Sequence, residues 1–142
     1  TVTVALFLKD LSQPYKFRVR LAEIDTAEKN STNPAEVLHA LKASNRLKEL
    51  IKQNEDDLIY LKCHRYDKYG RLLAHLYQSP DDTYSFNEIL RIEGLAYAYN
   101  GGPRKPFDEW IKTVNIGHED YNRFRPVAMV REITYDEDLA YI

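Results

Sequence analysis

The first part of the chain alternates between apolar and polar residues in the manner of β-strands. Residues 2–8 are mostly apolar and begin with β-branched residues, and residues 17–24 alternate strictly, so each segment predicts a strand. Turn-forming residues 10–14 lie between the two strands, which predicts a hairpin. The second strand is expected to have two faces, one with Phe17, Val19 and Leu21 and the other with Arg18, Arg20 and Ala22.

A helix is predicted after a polar loop. Asn33 is suited to cap this helix, Pro34 to occupy its first position, and Glu36 stands in the capping-box position. Apolar and small residues then recur at helical spacing, which predicts a helix over residues 34–52. The residues of that stripe are Val37, Leu41, Ser44, Leu47 and Ile51.

The second half of the chain predicts another hairpin and a short helix. Strands are expected at residues 58–64 and 71–77, and Gly94 is expected to end a helix capped by Ser85 or Asn87. Shorter elements follow: a strand at 95–99, one or two helical turns at 107–113 and a strand at 127–134. Many short strands with interspersed helices indicate an α+β, mainly β fold, an OB-like five-stranded β-barrel with two to three helices.

Composition and charge narrow the class of protein. The length suits one domain over residues 1–142, and 44% hydrophobic with 30% charged residues is ordinary for a soluble protein. Neither a membrane helix nor a signal peptide is visible, so we expect a soluble protein, intracellular or secreted after removal of a signal. The net charge of −2 excludes a polycation that coats nucleic acid, so phosphate binding would rest on a few placed arginines. One cysteine, Cys63, excludes an internal disulfide.

The first candidate for chemistry is the segment from Arg20 to Glu28, where an arginine-bearing strand runs into an acidic loop. Asp25 is a hard oxygen ligand suited to Ca²⁺, and the carbonyl of Thr26 would add a second oxygen. Glu28 is placed to deprotonate a water molecule. The alternative interpretation is a solvated loop with a surface ion pair.

The second candidate is the turn Asp-Lys-Tyr-Gly-Arg at residues 67–71. Arg71 opens a strand directly after the turn, and its guanidinium offers a fork of two hydrogen bonds to phosphate oxygens. The alternative interpretation is an ordinary hairpin turn in which Gly70 is conformationally favourable.

Together the two segments resemble the staphylococcal nuclease-like (thermonuclease) family. Its signature Asp-Thr-Pro-Glu reads Asp-Thr-Ala-Glu at residues 25–28, with alanine in the place of proline. A second signature, Asp-Lys-Tyr-Gly-Arg, stands unchanged at residues 67–71, and a third, a helix with Asn-Glu ending in Gly-Leu-Ala, corresponds to residues 87–97. The resemblance covers residues 1–99 in the family's order and leaves 100–142 as a divergent tail.

The resemblance implies an OB-like barrel that hydrolyses phosphodiester bonds of single-stranded DNA or RNA with Ca²⁺. It implies that Arg20 and Arg71 bind the phosphate and that Glu28 is the general base. Asp25 and Thr26 match the calcium ligands of the family. Tyrosines that would meet the nucleotide are Tyr69, beside the second arginine, and Tyr97 and Tyr99, for which core packing is the alternative.

Two departures from the family pattern concern the cation. The family carries Asp-Gly-Asp-Thr before its second strand, and the second aspartate is a calcium ligand, whereas the sequence here starts at Thr1. Residues 127–138 resemble the missing strand followed by Asp-Glu-Asp, so either Asp138 or a residue upstream of Thr1 would supply the carboxylate. The alternative for the tail is a terminal strand with a solvated acidic end. The runner-up function is a catalytically weak or inactive nuclease-like module that binds nucleic acid or protein.

Overall fold

The computed structural model describes residues 1–6, 12–54 and 58–114. Within these ranges the elements are, in chain order, β1 (Val2–Leu6), β2 (Tyr15–Leu21), β3 (Ile24–Asp25), α1 (Pro34–Ile51), β4 (Tyr60–Tyr66), β5 (Leu72–Tyr77), α2 (Phe86–Ile92), β6 (Tyr97–Ala98) and α3 (residues 107–114). The strand predicted at 127–134 and the candidate ligand Asp138 lie outside the described residues. Among the helices of the described ranges, none has the length and apolarity needed to cross a membrane.

The larger sheet is built from two hairpins that lie side by side. β1 pairs with β2 and β4 pairs with β5, both antiparallel, so both predicted hairpins are confirmed. β2 and β5 run parallel in the middle, which gives the strand order β1-β2-β5-β4. Their pairing begins with Val19 opposite Leu72 and continues to Leu21 opposite Ala74. In this register the end of β2, which includes Arg20, lies beside the start of β5.

The strand predicted over residues 17–24 divides into two elements. β2 ends before Glu23, whose positive φ of 65° is uncommon for a residue other than glycine. Beyond this turn, β3 pairs antiparallel with β6 in a second, two-stranded sheet. Ala22 is buried at the turn, so it does not share an outer face with the arginines as predicted, and its N–H donates to the Ala74 carbonyl at 2.9 Å. The α+β, mainly β class is confirmed, with six described strands because of this division.

The main hydrophobic core joins the larger sheet to α1 and α2. Strand residues Val4, Val19 and Leu76 belong to the same buried cluster as Leu50 of α1 and Phe86 of α2. Helix α1 ends within one residue of its predicted end, which shows that local apolar spacing was sufficient to define it.

Asn87 fixes α2 to the centre of the larger sheet. Its buried side chain accepts a hydrogen bond from Leu76 N at 3.2 Å and donates to the carbonyls of Ala22 and Ala74 at 2.9 and 3.0 Å. Ser85 is the N-cap of α2, since its Oγ accepts a hydrogen bond from the first turn at 3.1 Å. The Asn87 side chain therefore bonds to the sheet and does not cap α2. Its bond to the Ala22 carbonyl holds the turn that follows β2 from inside the core.

A smaller aromatic cluster packs α3 against α1 and β6. The buried Trp110 ring lies 4.9 Å from the Tyr97 ring and 5.1 Å from the His39 ring of α1, centre to centre. The ring of Phe107 lies 5.6 Å from that of Trp110. The helical turns predicted near residues 107–113 are therefore present and anchored. Because β6 and α3 are both held, the loop between them has fixed ends.

Candidate active site

Arg20 lies near the end of β2, and the following turn holds its guanidinium. Its Nη1 donates to the carbonyls of Leu21 and Ile24 at 2.6 and 2.9 Å. Its Nη2 lies 3.6 Å from Asp25 Oδ1, and its Cζ lies 6.0 Å from the centre of the Tyr99 ring. The turn between β2 and β3 therefore sets the direction of this guanidinium.

Asp25 ends β3, and its carboxylate is only 12% exposed. Oδ1 accepts a hydrogen bond from Thr26 N at 2.9 Å, and Oδ2 accepts one from the Tyr97 hydroxyl at 3.3 Å. Burial raises the pKa of Tyr97, and the charge of Asp25 adds to that effect, so the hydroxyl keeps its proton as a donor. The ring of Tyr97 packs in the core as the alternative interpretation held, while its hydroxyl reaches the site.

Glu28 lies in the loop that leads to α1, and Glu36 holds this loop in place. Glu36 Oε1 accepts a hydrogen bond from Glu28 N at 3.2 Å, and Oε2 accepts one from Ser31 Oγ at 2.6 Å. Glu36 therefore does not close the predicted capping box, and Asn33 Oδ1 caps the helix by accepting from Ala35 N at 3.0 Å. The Glu28 carboxylate is left half-exposed at the cavity.

Arg71 is held by its own turn. Asp67 Oδ1 accepts hydrogen bonds from the backbone N–H groups of Tyr69 and Arg71, both at 2.9 Å, and Asp67 Oδ2 accepts one from Arg71 Nε at 2.8 Å. Gly70 adopts a φ of 76°, which favours glycine. Desolvation raises the pKa of Asp67, but the two N–H groups and the guanidinium outweigh it, so this pKa lies below its ordinary value.

One cavity of about 530 Å³ brings five of the predicted site residues together: Arg20, Asp25, Thr26, Glu28 and Arg71. Within it, Arg71 Nη1 donates to Thr1 Oγ1 at 3.2 Å. Tyr69 lies on a second cavity of about 1210 Å³ that both arginines also line. Two cations lie near its exposed ring, with Lys68 Nζ at 5.2 Å and Arg71 Cζ at 5.6 Å from the ring centre.

Arg104, which the sequence analysis does not single out, lies between the two carboxylates of the cavity. Its Nε is 2.9 Å from Asp25 Oδ2, and its Nη2 donates to Asp25 Oδ1 at 3.2 Å and to the Thr26 carbonyl at 3.0 Å. Its Nη1 donates to Glu28 Oε1. Burial lowers the pKa of Arg104, but the two carboxylates more than offset it, so this pKa is raised and the guanidinium stays charged. Arg104 and Asp25 are 79 positions apart in the sequence and meet through tertiary structure, which includes the pairing of β3 with β6, so no local sequence signal marked Arg104.

Comparison with known proteins identifies the family to which this site belongs. Residues 18–115, more than half of the chain, match the family model described as staphylococcal nuclease homologue. The chain belongs to the staphylococcal nuclease homologue family. The match confirms the resemblance inferred from the sequence. Together with the structure described above, it also confirms the OB-like fold class. The matched segment includes the cavity residues Arg20, Asp25, Thr26, Glu28, Arg71 and Arg104.

Two curated relatives of this nuclease-like domain come from Bacillus subtilis (strain 168). The SPbeta prophage-derived endonuclease YokF is 42% identical over 95 residues, covering 66% of this chain and 31% of the relative. Endonuclease YncB is 41% identical over 81 residues, covering 57% of this chain and 37% of the relative. The chain thus spans about a third of the length of the curated relatives it matches.

The donor set around Arg104 has the chemistry of a hard-cation site. The carboxylates of Asp25 and Glu28 and the carbonyl of Thr26 are oxygen ligands of the kind that Ca²⁺ prefers. In the ranges that the structure describes, no group of three or more His, Cys, Asp or Glu side chains could hold a metal ion. His64 Nε2 and His75 Nδ1 are 2.6 Å apart, but these nitrogens face each other in a hydrogen bond. The described residues therefore fit a calcium ion only if further ligands complete the site.

Proposed function

We propose that this domain hydrolyses phosphodiester bonds of nucleic acid with the help of Ca²⁺. The observation that carries the proposal is one cavity that Arg20 and Arg71 line together with the carboxylates of Asp25 and Glu28. Such a set can neutralise a phosphate and activate a water molecule at the same point. The relatives named endonucleases support the same class of reaction.

Arg20 and Arg71 are proposed to bind the phosphodiester group that is cleaved. Attack by water places additional negative charge on the non-bridging oxygens of the phosphate. Guanidinium forks that are already oriented stabilise that charge without first having to reorganise. The carbonyls that hold Arg20 and the Asp67 carboxylate that holds Arg71 provide this orientation.

Glu28 is proposed as the general base. It is the half-exposed carboxylate of the cavity, whereas Asp25 is largely buried and already accepts two hydrogen bonds from Thr26 N and Tyr97. An exposed carboxylate can reach a water molecule, orient it towards the phosphate and take its proton. The separation of roles between Asp25 and Glu28 follows from these different environments.

Asp25 and the Thr26 carbonyl are proposed as calcium ligands. A bound Ca²⁺ would supply Lewis-acid stabilisation of the phosphate oxygens. A further carboxylate is proposed from Asp138, outside the described residues, or from a residue upstream of Thr1. Thr1 lines the cavity and its hydroxyl accepts from Arg71, which supports the second source.

The substrate is proposed to be single-stranded DNA or RNA. The cavity of about 1210 Å³ is large enough to receive a nucleotide, and it is lined by Tyr69, whose exposed ring has two cations nearby. Aromatic rings stack on bases of any sequence, and neighbouring cations attract the backbone. Tyr69 therefore supports a nucleotide position next to the phosphate-binding arginines.

Cleavage of labelled single-stranded DNA and single-stranded RNA, with Ca²⁺ and with a chelator, tests the proposal. We expect shorter products with Ca²⁺ and intact substrate with the chelator. Filter retention of the same samples measures binding independently. Retention without cleavage in the presence of Ca²⁺ would instead support the binding-module alternative.

A further inference from the structure

The loop that carries Arg104 has a defined shape. Gly101 and Gly102 adopt φ values of 96° and 82°, a conformation that favours glycine. The Tyr99 hydroxyl donates to the Gly102 carbonyl at 2.5 Å, and Lys105 N donates to the Tyr97 hydroxyl at 3.2 Å. These contacts flank Arg104 on both sides, so the loop itself directs its side chain to the cavity.

Arg104 contacts both oxygens of the Asp25 carboxylate, which already have hydrogen-bond partners. Oδ1 accepts from Thr26 N, and Oδ2 accepts from the Tyr97 hydroxyl. Arg104 Nη2 donates a hydrogen bond to Oδ1 at 3.2 Å, and Arg104 Nε forms an ion pair with Oδ2 at 2.9 Å. A metal ion that bound to Asp25 would have to displace the guanidinium from these oxygens.

The same guanidinium also contacts the other two groups of the proposed reaction. Its Nη2 donates to the Thr26 carbonyl, and its Nη1 donates to Glu28 Oε1. One side chain therefore engages both proposed cation ligands and the proposed base.

We propose that Arg104 is an internal counter-cation that competes with the divalent cation for Asp25 and Thr26 and so sets the cation affinity of the domain. This inference rests on the proposed calcium dependence. Arg104 and Ca²⁺ compete at Asp25, because both bind the same carboxylate oxygens. The coupling between them is a negative one, so removal of the guanidinium strengthens calcium binding.

The exposure of the contact is consistent with displacement. The Arg104 side chain is 46% exposed, whereas the Asp25 side chain is 12% exposed. The guanidinium can therefore move into solvent from the rim of the cavity, while Asp25 stays fixed by its own partners. Arg20 Nη2, at 3.6 Å from Asp25 Oδ1, does not replace those contacts at hydrogen-bond distance.

Calorimetric titration with Ca²⁺ alone, without nucleic acid, tests the proposal in wild type, Arg104→Gln and Lys29→Gln. Lys29 lines the same cavity, and its Nζ donates to Ser44 Oγ at 3.2 Å. It therefore controls for the loss of one positive charge near the site. We expect the dissociation constant to fall about tenfold in Arg104→Gln, within the usual range of coupling between two ligands, and to change little in Lys29→Gln.

Thermal unfolding gives a second readout on the same variants. In chelator, Arg104→Gln is expected to melt below wild type, because Asp25 and Glu28 lose their counter-cation. Ca²⁺ is then expected to raise the melting temperature more in Arg104→Gln than in wild type, since tighter binding to the folded state stabilises it more. Arg104→Lys, which keeps the charge without the fork, provides a milder variant should Arg104→Gln fail to fold, and we expect an intermediate dissociation constant.

Equal dissociation constants in wild type and the Arg104 variants would overturn the proposal, and so would the same gain in Lys29→Gln or the absence of calcium binding in every protein. The cleavage assay distinguishes a failure of the role given to Arg104 from a failure of the proposed hydrolysis. Calcium-dependent cleavage by wild type with unchanged affinity in Arg104→Gln contradicts the role of Arg104 alone. Tighter binding in Arg104→Gln without cleavage by any protein contradicts the proposed hydrolysis and leaves the competition intact.

Discussion

The turn at residues 67–71 and the loop at residues 25–28 place charged groups in the same cavity, but their charges are balanced in different ways. In the turn, Asp67 binds the backbone and the guanidinium of Arg71, four residues away. In the loop, both carboxylates are bound by Arg104, which comes from the connection between β6 and α3. The turn is a self-contained unit, whereas the charge balance of the loop depends on the tertiary structure.

This difference separates a preorganised part of the site from one that must rearrange. Asp67 holds Arg71 through Nε, and Nη1 contacts only the neutral hydroxyl of Thr1 among its described hydrogen bonds. That edge of the guanidinium is ready to bind a phosphate. In the loop, by contrast, Arg104 binds the very oxygens that are proposed to act. Substrate binding and cation binding are therefore expected to respond to different substitutions.

The largest loss of activity is expected for Glu28, the proposed general base in the loop at residues 25–28. Glu28→Gln is expected to lower the rate of single-stranded DNA hydrolysis by about 10²- to 10⁴-fold, because an amide keeps the shape but cannot take a proton. The melting temperature should stay close to that of wild type. Glu109→Gln, an exposed substitution on α3, serves as the matched control. An unchanged rate in Glu28→Gln would remove this residue from the mechanism.

The next largest loss of activity is expected for Arg20 and Arg71. Their substitutions test the preorganised, phosphate-binding part of the site. Arg20→Lys and Arg71→Lys are each expected to lower turnover by about 10²-fold, because lysine keeps the charge but loses the fork. Arg91→Lys, on the exposed side of α2, is the control. Near-full activity in both site variants would show that the two arginines act only as steering charges.

The difference between these two regions also explains how far the sequence could predict the site. The hairpins, α1 and the turn at 67–71 depend on local spacing and on turn residues, and the structure contains them. The roles of Glu36 and Arg104 depend on partners in other segments, so their local context suggested a capping box for Glu36 and nothing for Arg104. The turn at Glu23 was not predicted, because the alternation of apolar and polar residues continues through it. Asn87, which is distant in the sequence, holds Ala22 in the core through a hydrogen bond to its carbonyl.

A smaller effect is expected for Asp67, which acts through Arg71. Asp67→Asn is expected to lower turnover by about tenfold, since the guanidinium loses its orienting partner. The lowered pKa of Asp67 means that its charged form stabilises the folded domain at neutral pH, and that this contribution is lost as the pH falls through that pKa.

Melting temperatures measured across pH check this sign. At neutral pH the melting temperature of Asp67→Asn should lie below that of wild type, and this difference, the gap, should disappear in acid. Asp81→Asn, at an exposed position, should show no such gap. A gap that persists unchanged in acid would contradict the role given to the ionised Asp67.

The smallest expected effect concerns the support of the loop. Glu36→Ala removes the acceptor of Glu28 N and of Ser31 Oγ, so we expect a loss of about 1 kcal/mol in the free energy of unfolding. Turnover should fall only a few-fold, because Glu28 keeps its carboxylate. Chemical denaturation and initial rates measure the two effects, with Glu109→Ala as the control. A loss of activity as large as that of Glu28→Gln would show that Glu36 itself takes part in the reaction.

Single-turnover cleavage decides whether this cavity cleaves a phosphodiester bond or merely binds nucleic acid. Labelled single-stranded DNA is mixed with an excess of the domain, first with chelator and then with Ca²⁺ restored. We expect no product with chelator, cleavage once Ca²⁺ is restored, and a strongly reduced rate in Glu28→Gln, Arg20→Lys and Arg71→Lys. Substrate that stays bound and intact after Ca²⁺ is restored, or a rate that is the same in wild type and all three variants, would contradict the proposed cleavage by this cavity.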